Sequence, residues 1–443
     1  MEFKDRKKET KEITEMLNSK NFELLILYGR RRIGKTELIL HSTKDKKRIY
    51  YLGVEKRNLD RFYDVCVSQF PDISNLKKDY EVLFEYLKDK SVVVIIDEFQ
   101  NLIKEDKNIL NILQSLIDTN LKNTNLKLVL LGSSVSIMSS KVLSYQSPLY
   151  GRRTGSIKLK PISFFDIKEF FPKISMKEII EIYGLADGVP YYLIKIKKHL
   201  WKWLEEEIKS ERSFLKDEVE FLMRYEFEDP STYKIILEAI ANGKTKINEI
   251  KDFIKLQRTD LSPYLKNLIE TDLIKREVPI TEKVKSRSGR YYLKDNFLKF
   301  WFRFIYPNLS SIETKIFNTS LIKKEYNHYL GGIFEEIVRQ YLIKNPPFNF
   351  TKIGRWWYKN SEIDLVALDE STNKILFVEC KWKENVDANK LISGLSKKTE
   401  NVLWKNDKRE EYYSLFAKSF KKKITEFNGK KVFCIDIKDL ENS

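Results

Sequence analysis

Between residues 22 and 156, short apolar runs alternate with segments whose apolar positions recur at helical spacing. The runs 23–27, 48–52, 91–97 and 126–132 are almost continuously apolar, as strands are when helices cover both faces of a parallel sheet. This predicts an α/β core. From 163 to about 224 the periodicity becomes helical, broken at Gly184 and at Gly188, Val189 and Pro190, and a small helical lid is the simplest reading. Segments 230–241, 247–254 and 259–269 read as three short helices, followed by two extended runs, 272–278 and 289–294, joined by a Lys/Arg/Ser-rich turn. Three helices and a basic hairpin predict a winged helix-turn-helix with 259–269 as its recognition helix. After an aromatic-rich stretch at 297–307, the last module reads helix 333–343, strands 350–358, 362–368 and 374–382, helix 388–404 and strand 431–437. The expected domains are an α/β core over 1–160, a helical lid over 161–225, a winged helix over 226–300, a helical connector over 301–330 and an αβββαβ module over 331–443.

Charge adds a partner to this outline. The 443 residues carry 81 Lys and Arg against 64 Asp and Glu, a net charge of +17. The excess favours a polyanion, with DNA the expected partner, because each neutralised phosphate releases counterions. A Lys-rich solvated surface accounts for the charge equally well. On the hairpin, Lys283, Lys285, Arg287 and Arg290 are available for phosphates, with Arg258 and Lys266 beside them. The three cysteines and three histidines are scattered without a CxxC pair, which argues against a disulfide framework or structural zinc and fits a reducing cytoplasm. No run approaches the roughly 18 apolar residues of a membrane span, and no membrane partner is expected.

The first chemistry-bearing motif follows the first strand. Gly29, Arg30, Arg31, Arg32, Ile33, Gly34, Lys35 and Thr36 match GxxxxGK[ST] between a strand and an amphipathic helix, the context in which that motif cradles phosphates. Its glycines let backbone amides turn inward, Lys35 can bridge the β- and γ-phosphates of ATP, and Thr36 can hold Mg²⁺. The three arginines occupy x positions and read as surface-facing. The strand ending at Asp97 and Glu98 supplies a second half: Asp97 for the Mg²⁺ shell and Glu98 to orient or deprotonate the attacking water. The strand ending at Gly132 leads to Ser133, placed to sense the γ-phosphate. Arg152 and Arg153 offer guanidinium groups for transition-state charge, in cis or across the interface of a homo-oligomer formed on nucleotide binding. They serve equally as solvated or phosphate-contacting residues.

Taken together, the GRRRIGKT loop, the IIDEFQ strand, LLGSS, PLYGRRTG and the GVPYYL segment resemble the archaeal ATPase family of the AAA+/STAND class. The resemblance spans about residues 1–225. It implies that the lid segment around Pro190 faces the nucleotide and distinguishes ATP from ADP.

A second set of acidic positions lies near the C-terminus. Glu362, Ile363 and Asp364 begin one alternating strand, and Glu379, Cys380 and Lys381 end the next. Glu379 and Lys381 share a face, and antiparallel pairing sets Asp364 beside Glu379, giving two carboxylates for Mg²⁺ and a lysine for developing phosphate charge. Glu335 or Glu336 on the preceding helix completes the cluster. This pattern resembles the PD-(D/E)XK nuclease family, in which Asp364, Glu379 and Lys381 match the D…ExK signature and Glu335 the helix acid; Ile363 stands where that family often has proline. The module also looks like the domain that often follows archaeal ATPase modules, including Gly354, Arg355, Trp356 and Trp357. A charged edge hairpin with an ion pair is the alternative. The expectation is an ATP-hydrolysing switch coupled to DNA binding and Mg²⁺-dependent cleavage; its rival is a nucleotide-gated regulator whose C-terminal domain does not cut.

Overall fold

The apolar runs of the N-terminal half form one five-stranded parallel sheet in the computed structural model, which describes residues 4–197, 199–255 and 260–441. Its strands are β1 (Glu23–Tyr28), β2 (Arg48–Leu52), β3 (Val93–Asp97), β4 (Lys127–Gly132) and β5 (Gly155–Lys158), in the order β2-β3-β4-β1-β5. Leu24, Ile26, Val94, Ile96, Leu128 and Leu130 pack to one side, with α3 (Asn58–Gln69), α4 (Tyr80–Leu87) and α6 (Ile109–Leu116). The alternate residues Leu25, Leu27, Val93, Ile95, Val129 and Leu131 pack with α1 (Lys7–Leu17) and α2 (Lys35–Ser42). Both faces are buried, which is why these strands show no alternation in sequence. β3 is followed by the short α5 (Gln100–Glu105). β5 escapes the apolar-run criterion because it has four residues and none fully buried.

The chain divides into two compact units. One runs to Ile162 and takes in Val189–Ile194 and Glu270–Asp272; the other comprises Ser163–Gly188, Lys195–Ile269 and the chain from Leu273 onward. The second unit gathers segments that the sequence pattern divides among a lid, a hairpin module and a C-terminal module. Its helices include α7 (Met176–Ala186), α8 (Leu200–Lys209) and α9 (Phe214–Glu226), then α10 (Ser231–Ala241), α11 (Ile247–Ile254) and α12 (Ser262–Glu270). Arg258 and Thr259, at the start of the expected third helix, lie outside the described residues. Strands β6 (Ile274–Glu277) and β7 (Arg290–Leu293) pair antiparallel.

The expected boundary at residue 331 falls inside a single 25-residue helix, α13 (Ser320–Lys344). The Tyr326 and Tyr329 hydroxyls donate to the Glu181 and Gly184 carbonyls at 2.6 Å each, and a β-carbon on Gly184 would meet Leu330 at 2.8 Å. Glycine is therefore what allows α7 and α13 to approach so closely.

The C-terminal sheet contains β8 (Lys352–Tyr358), β9 (Ser361–Asp369), β10 (Lys374–Lys381), β11 (Glu410–Ala417) and β12 (Lys430–Ile435), with α14 (Ala388–Thr399) between β10 and β11. The order is β12-β11-β10-β9-β8, extended beyond β12 by Glu426–Phe427. β8, β9 and β10 are antiparallel neighbours, whereas β11 runs parallel to β10 and β12 parallel to β11. The sequence pattern anticipates one strand after the helix. Here two long strands and the short Phe420–Lys422 and Glu426–Phe427 follow, because α14 ends at Thr399 and β11 takes the place beside β10.

Candidate functional site

Lys35 opens α2, and Gly34 before it has φ +89, a left-handed conformation that favours glycine. At Gly29, with φ +150, a β-carbon would stand 2.5 Å from the Leu159 carbonyl oxygen. The loop thus keeps room for close backbone approach at both glycines. The Lys35 ammonium, on a side chain 6% exposed as a whole residue, donates to the Gly29 and Arg30 carbonyls at 2.9 Å each. Arching over the loop in this way keeps the cation where phosphates would lie. From behind, the Arg6 guanidinium donates to the Ile33 carbonyl at 3.1 Å. Arg32 adopts φ +70 and stacks over the Tyr191 ring at 4.0 Å, and Pro190 Cγ lies 3.9 Å from where a Gly34 β-carbon would be. Pro190 thus meets the phosphate loop. Arg31 and Arg32 are exposed.

At the ends of β3 and β4 the acidic half assembles. The Thr36 hydroxyl donates to Asp97 Oδ2 at 2.6 Å, and the Tyr50 hydroxyl donates to the same oxygen at 2.9 Å. Burial and then the Asp97 charge push the Tyr50 phenol pKa upward, so Tyr50 stays a proton donor to Asp97. Glu98 has φ +51, and a non-glycine residue held there costs on the order of 1 kcal/mol or more, a strain that clusters at functional sites. Its carboxylate accepts from the Ser133 hydroxyl and from Gln100 Nε2. The hard oxygens of Thr36 and Asp97 suit Mg²⁺, which binds through one or two protein oxygens plus phosphates and water. The arginine pair is otherwise engaged. Arg152 forms a two-point pair with Asp118 at 2.8 and 2.6 Å, while Arg153 donates to the Leu143 carbonyl at 3.1 Å and lies over Tyr150.

In the second unit, Val378 pairs with Leu365 across β9 and β10, and continuing that register sets Glu379 opposite Asp364. The Cys380 amide donates to Asp364 Oδ2 at 2.7 Å. Burial, then Glu335 and Glu379, push the Asp364 carboxyl up to about 7, as buried carboxylates crowded together disfavour the charged form. Lys381 Nζ donates to Glu379 Oε1 at 2.7 Å. Lys398, from α14, reaches Glu379 Oε1 at 3.0 Å and Oε2 at 2.8 Å. Glu335 is held by Arg355 at 2.5 Å, and Arg355 lies over the Tyr292 ring at 4.7 Å. Glu336 faces Arg339 at 3.7 Å and Lys275 at 3.9 Å. Among the described residues, no three His, Cys, Asp or Glu side chains are grouped as metal ligands; Glu335, expected to join Asp364 and Glu379, is paired with Arg355. Two carboxylates still fit Mg²⁺.

With both sites in view, comparison with known proteins places the chain. Residues 3–196 match the model of an ATPase domain predominantly from Archaea, and residues 301–392 match that of Archaea bacterial proteins of unknown function. The uncharacterized protein MJECL04 of Methanocaldococcus jannaschii is 51% identical over 428 residues, covering 95% of this chain and 97% of the relative. The chain belongs to this archaeal ATPase family. The Walker-type ATPase paby2304 of Pyrococcus abyssi shares the fold, with a TM-score of 0.53 at 22% identity over 68% of this chain and 96% of that one. A second uncharacterized protein of Methanocaldococcus jannaschii, MJ1503, is 26% identical over 120 residues, 25% of this chain and 76% of its own length. For this archaeal ATPase, nucleotide binding and hydrolysis follow from the family and the phosphate loop together. Among the described residues no helix is long and apolar enough to cross a membrane.

Several residues that shape the ATPase site and its C-terminal counterpart were not singled out by the sequence. Arg6, Tyr50 and Lys398 belong to no motif and reach their partners only through tertiary packing, while Gln100 and Arg355 stand in the IIDEFQ and 354–357 segments, whose patterns give them no role. The hairpin arginine Arg290 is also placed differently from the expectation of a phosphate contact. It pairs with Glu362 at 2.9 Å and lies over the Trp357 ring at 4.5 Å.

Proposed function

We propose that this archaeal ATPase is a nucleotide-driven switch for DNA whose C-terminal module is a Mg²⁺-dependent nuclease. The convergence of Asp364, Glu379 and Lys381 at adjacent strand ends carries this reading: two carboxylates to hold a cation and an ammonium beside them. In it the helices α10 to α12 and the β6–β7 hairpin act as a winged helix, and the mixed sheet with α13 and α14 as a restriction-endonuclease-like fold. In the first unit, Lys35 and the loop amides would hold the ATP phosphates, Thr36 and Asp97 the Mg²⁺, and Glu98, oriented by Ser133, would align the water. Bound Mg²⁺ supplies charge neutralisation at the phosphates. In the second unit Asp364 and Glu379 would hold the cation that activates water at a phosphodiester.

Incubating the full chain with plasmid, linear and single-stranded DNA, with and without Mg²⁺ and ATP, tests the reading. Cleavage that needs Mg²⁺ and is lost in Glu379→Ala is the expected result. The engagement of Glu379 by two lysines and of Glu335 by Arg355 favours a second reading, a nucleotide-gated regulator that binds DNA without cutting it. Binding without cleavage under every nucleotide condition is the result that selects it.

A further inference from the structure

Glu379 carries more countercharge than one ion pair requires. Ile375, Phe377, Glu379 and Lys381 alternate onto one face of β10. α14 covers that face with Ile392 and Leu395, which share a core with Ile375 and Phe377. Lys398 stands three residues after Leu395, so it continues the packed stripe of the helix and its ammonium arrives over the carboxylate. The Glu379 side chain is 5% exposed, whereas Lys381 and Lys398 are 42% and 33% exposed. Lys381 addresses one oxygen and Lys398 addresses both. The carboxylate is fixed by its strand, while the two ammonium groups sit at the ends of flexible stems with a route to solvent.

We propose that Lys398 is a positioning residue that holds both oxygens of Glu379 in place of a divalent cation, and that cation binding displaces it. This rests on the reading of Asp364 and Glu379 as a metal site. A lysine that merely supports the strand would, on removal, disorder Glu379 and weaken metal binding. A lysine that competes for the same oxygens does the opposite. Removing the Lys398 ammonium should therefore tighten cation binding about tenfold, a change worth about 1.4 kcal/mol.

The test is titration of the full chain with Mn²⁺ alone, followed by electron paramagnetic resonance, in the parent, Lys398→Gln, Lys398→Arg and Glu379→Ala proteins. Thermal melts of the metal-free proteins confirm that each variant folds. Subtracting the Glu379→Ala isotherm removes binding at Thr36 and Asp97. The expected result is a Glu379-dependent site that binds Mn²⁺ about tenfold more tightly in Lys398→Gln and close to parental strength in Lys398→Arg. Equal or weaker binding in Lys398→Gln, with the Glu379-dependent site present in the parent, overturns the role of Lys398 alone. A parent isotherm identical to that of Glu379→Ala removes the metal site and the role of Lys398 with it.

Discussion

Thr36, Tyr50, Asp97, Glu98, Gln100 and Ser133 form one hydrogen-bonded chain at the sheet's carboxyl edge, joined where the Glu98 amide donates to Asp97 Oδ1. Lys35→Ala should abolish ATP binding, since the phosphates lose the ammonium that arches over the loop. Glu98→Gln should bind ATP yet hydrolyse it about 100-fold more slowly, the usual scale for a lost general base; turnover near the parental rate in a steady-state phosphate-release assay would remove Glu98 from the water-aligning role. Ser133→Ala keeps the base and loses one of its anchors, so its defect should be smaller than that of Glu98→Gln in the same assay. In the second unit, Asp187 is 5% exposed, and burial, then Asp295, push its carboxyl from the ordinary 3.8 up to about 6. The folded chain holds that proton where the unfolded chain has released it. Stability from this group is therefore present below about 3.8 and declines as pH rises to about 6. The Gly188 and Asn296 amides donate to separate oxygens of Asp187, so an asparagine there accepts from one and turns its NH2 toward the other. That cost is the same at every pH, whereas the buried carboxylate's own penalty grows as it ionises, so Asp187→Asn should destabilise the chain less at pH 7.5 than at pH 4.5 in thermal melts, and an equal change at both would refute the assignment.

The hairpin shows how an element's role follows from what holds it. Its loop backbone is bracketed on β8: the Ile280 amide donates to the Arg355 carbonyl at 3.0 Å, and Trp357 Nε1 donates to the Ser288 carbonyl at 3.1 Å. Arg290 is part of that bracket, while Lys283, Lys285 and Arg287 are exposed. Reversing those three charges should flatten the dependence of log DNA affinity on log salt by about one unit per lost phosphate contact. Arg290→Ala should instead cost about 1–2 kcal/mol of stability in a denaturant titration and leave the salt slope unchanged. If the triple variant binds with the parental slope, the hairpin is a structural bracket throughout. This division of labour was not legible in the sequence, where all four residues are basic positions in one turn. β1, β3 and β4 of the first sheet were legible because both of their faces are buried. β11 was not, because its opening Glu410, Glu411 and Tyr412 are exposed or half-buried and give no apolar run. The unbroken course of α13 through Gly331 and Gly332 was hidden too, since paired glycines read as a break; Leu330, Ile333 and Phe334 around them are buried and supply the packing that overrides propensity. The phosphate loop and the D…ExK pattern are local in sequence and could be found there, whereas the choice of Lys398 among 81 Lys and Arg residues depends on how α14 lies on β10.

At the scale of the whole chain, the residues of each proposed site lie within one unit: Lys35, Thr36, Asp97, Glu98, Ser133 and Pro190 in the first, and Asp364, Glu379, Lys381 and Lys398 in the second. A substitution in one site leaves the local geometry of the other untouched, so separated effects are expected to be close to independent. Glu379→Ala should lower DNA cleavage by about 100-fold or more, as loss of a metal-holding carboxylate removes both water activation and charge neutralisation, while ATP turnover stays within about twofold. Lys381→Ala should lose cleavage and keep Glu379-dependent Mn²⁺ binding, because the role proposed for its ammonium is to meet developing phosphate charge rather than to hold the cation. Mg²⁺ and Mn²⁺ should support cleavage, and Ca²⁺ should largely fail, since its larger and more flexible coordination orients water poorly. Coupling between the sites is then read from the converse experiment. If ATP drives the switch, Lys35→Ala should fix cleavage at a single rate that no longer responds to added nucleotide, whereas parental cleavage should differ between ATP and ADP. Cleavage by Lys35→Ala that still responds to ATP would mean that nucleotide acts somewhere other than the phosphate loop, and cleavage by the parent that ignores nucleotide would leave two independent activities on one chain.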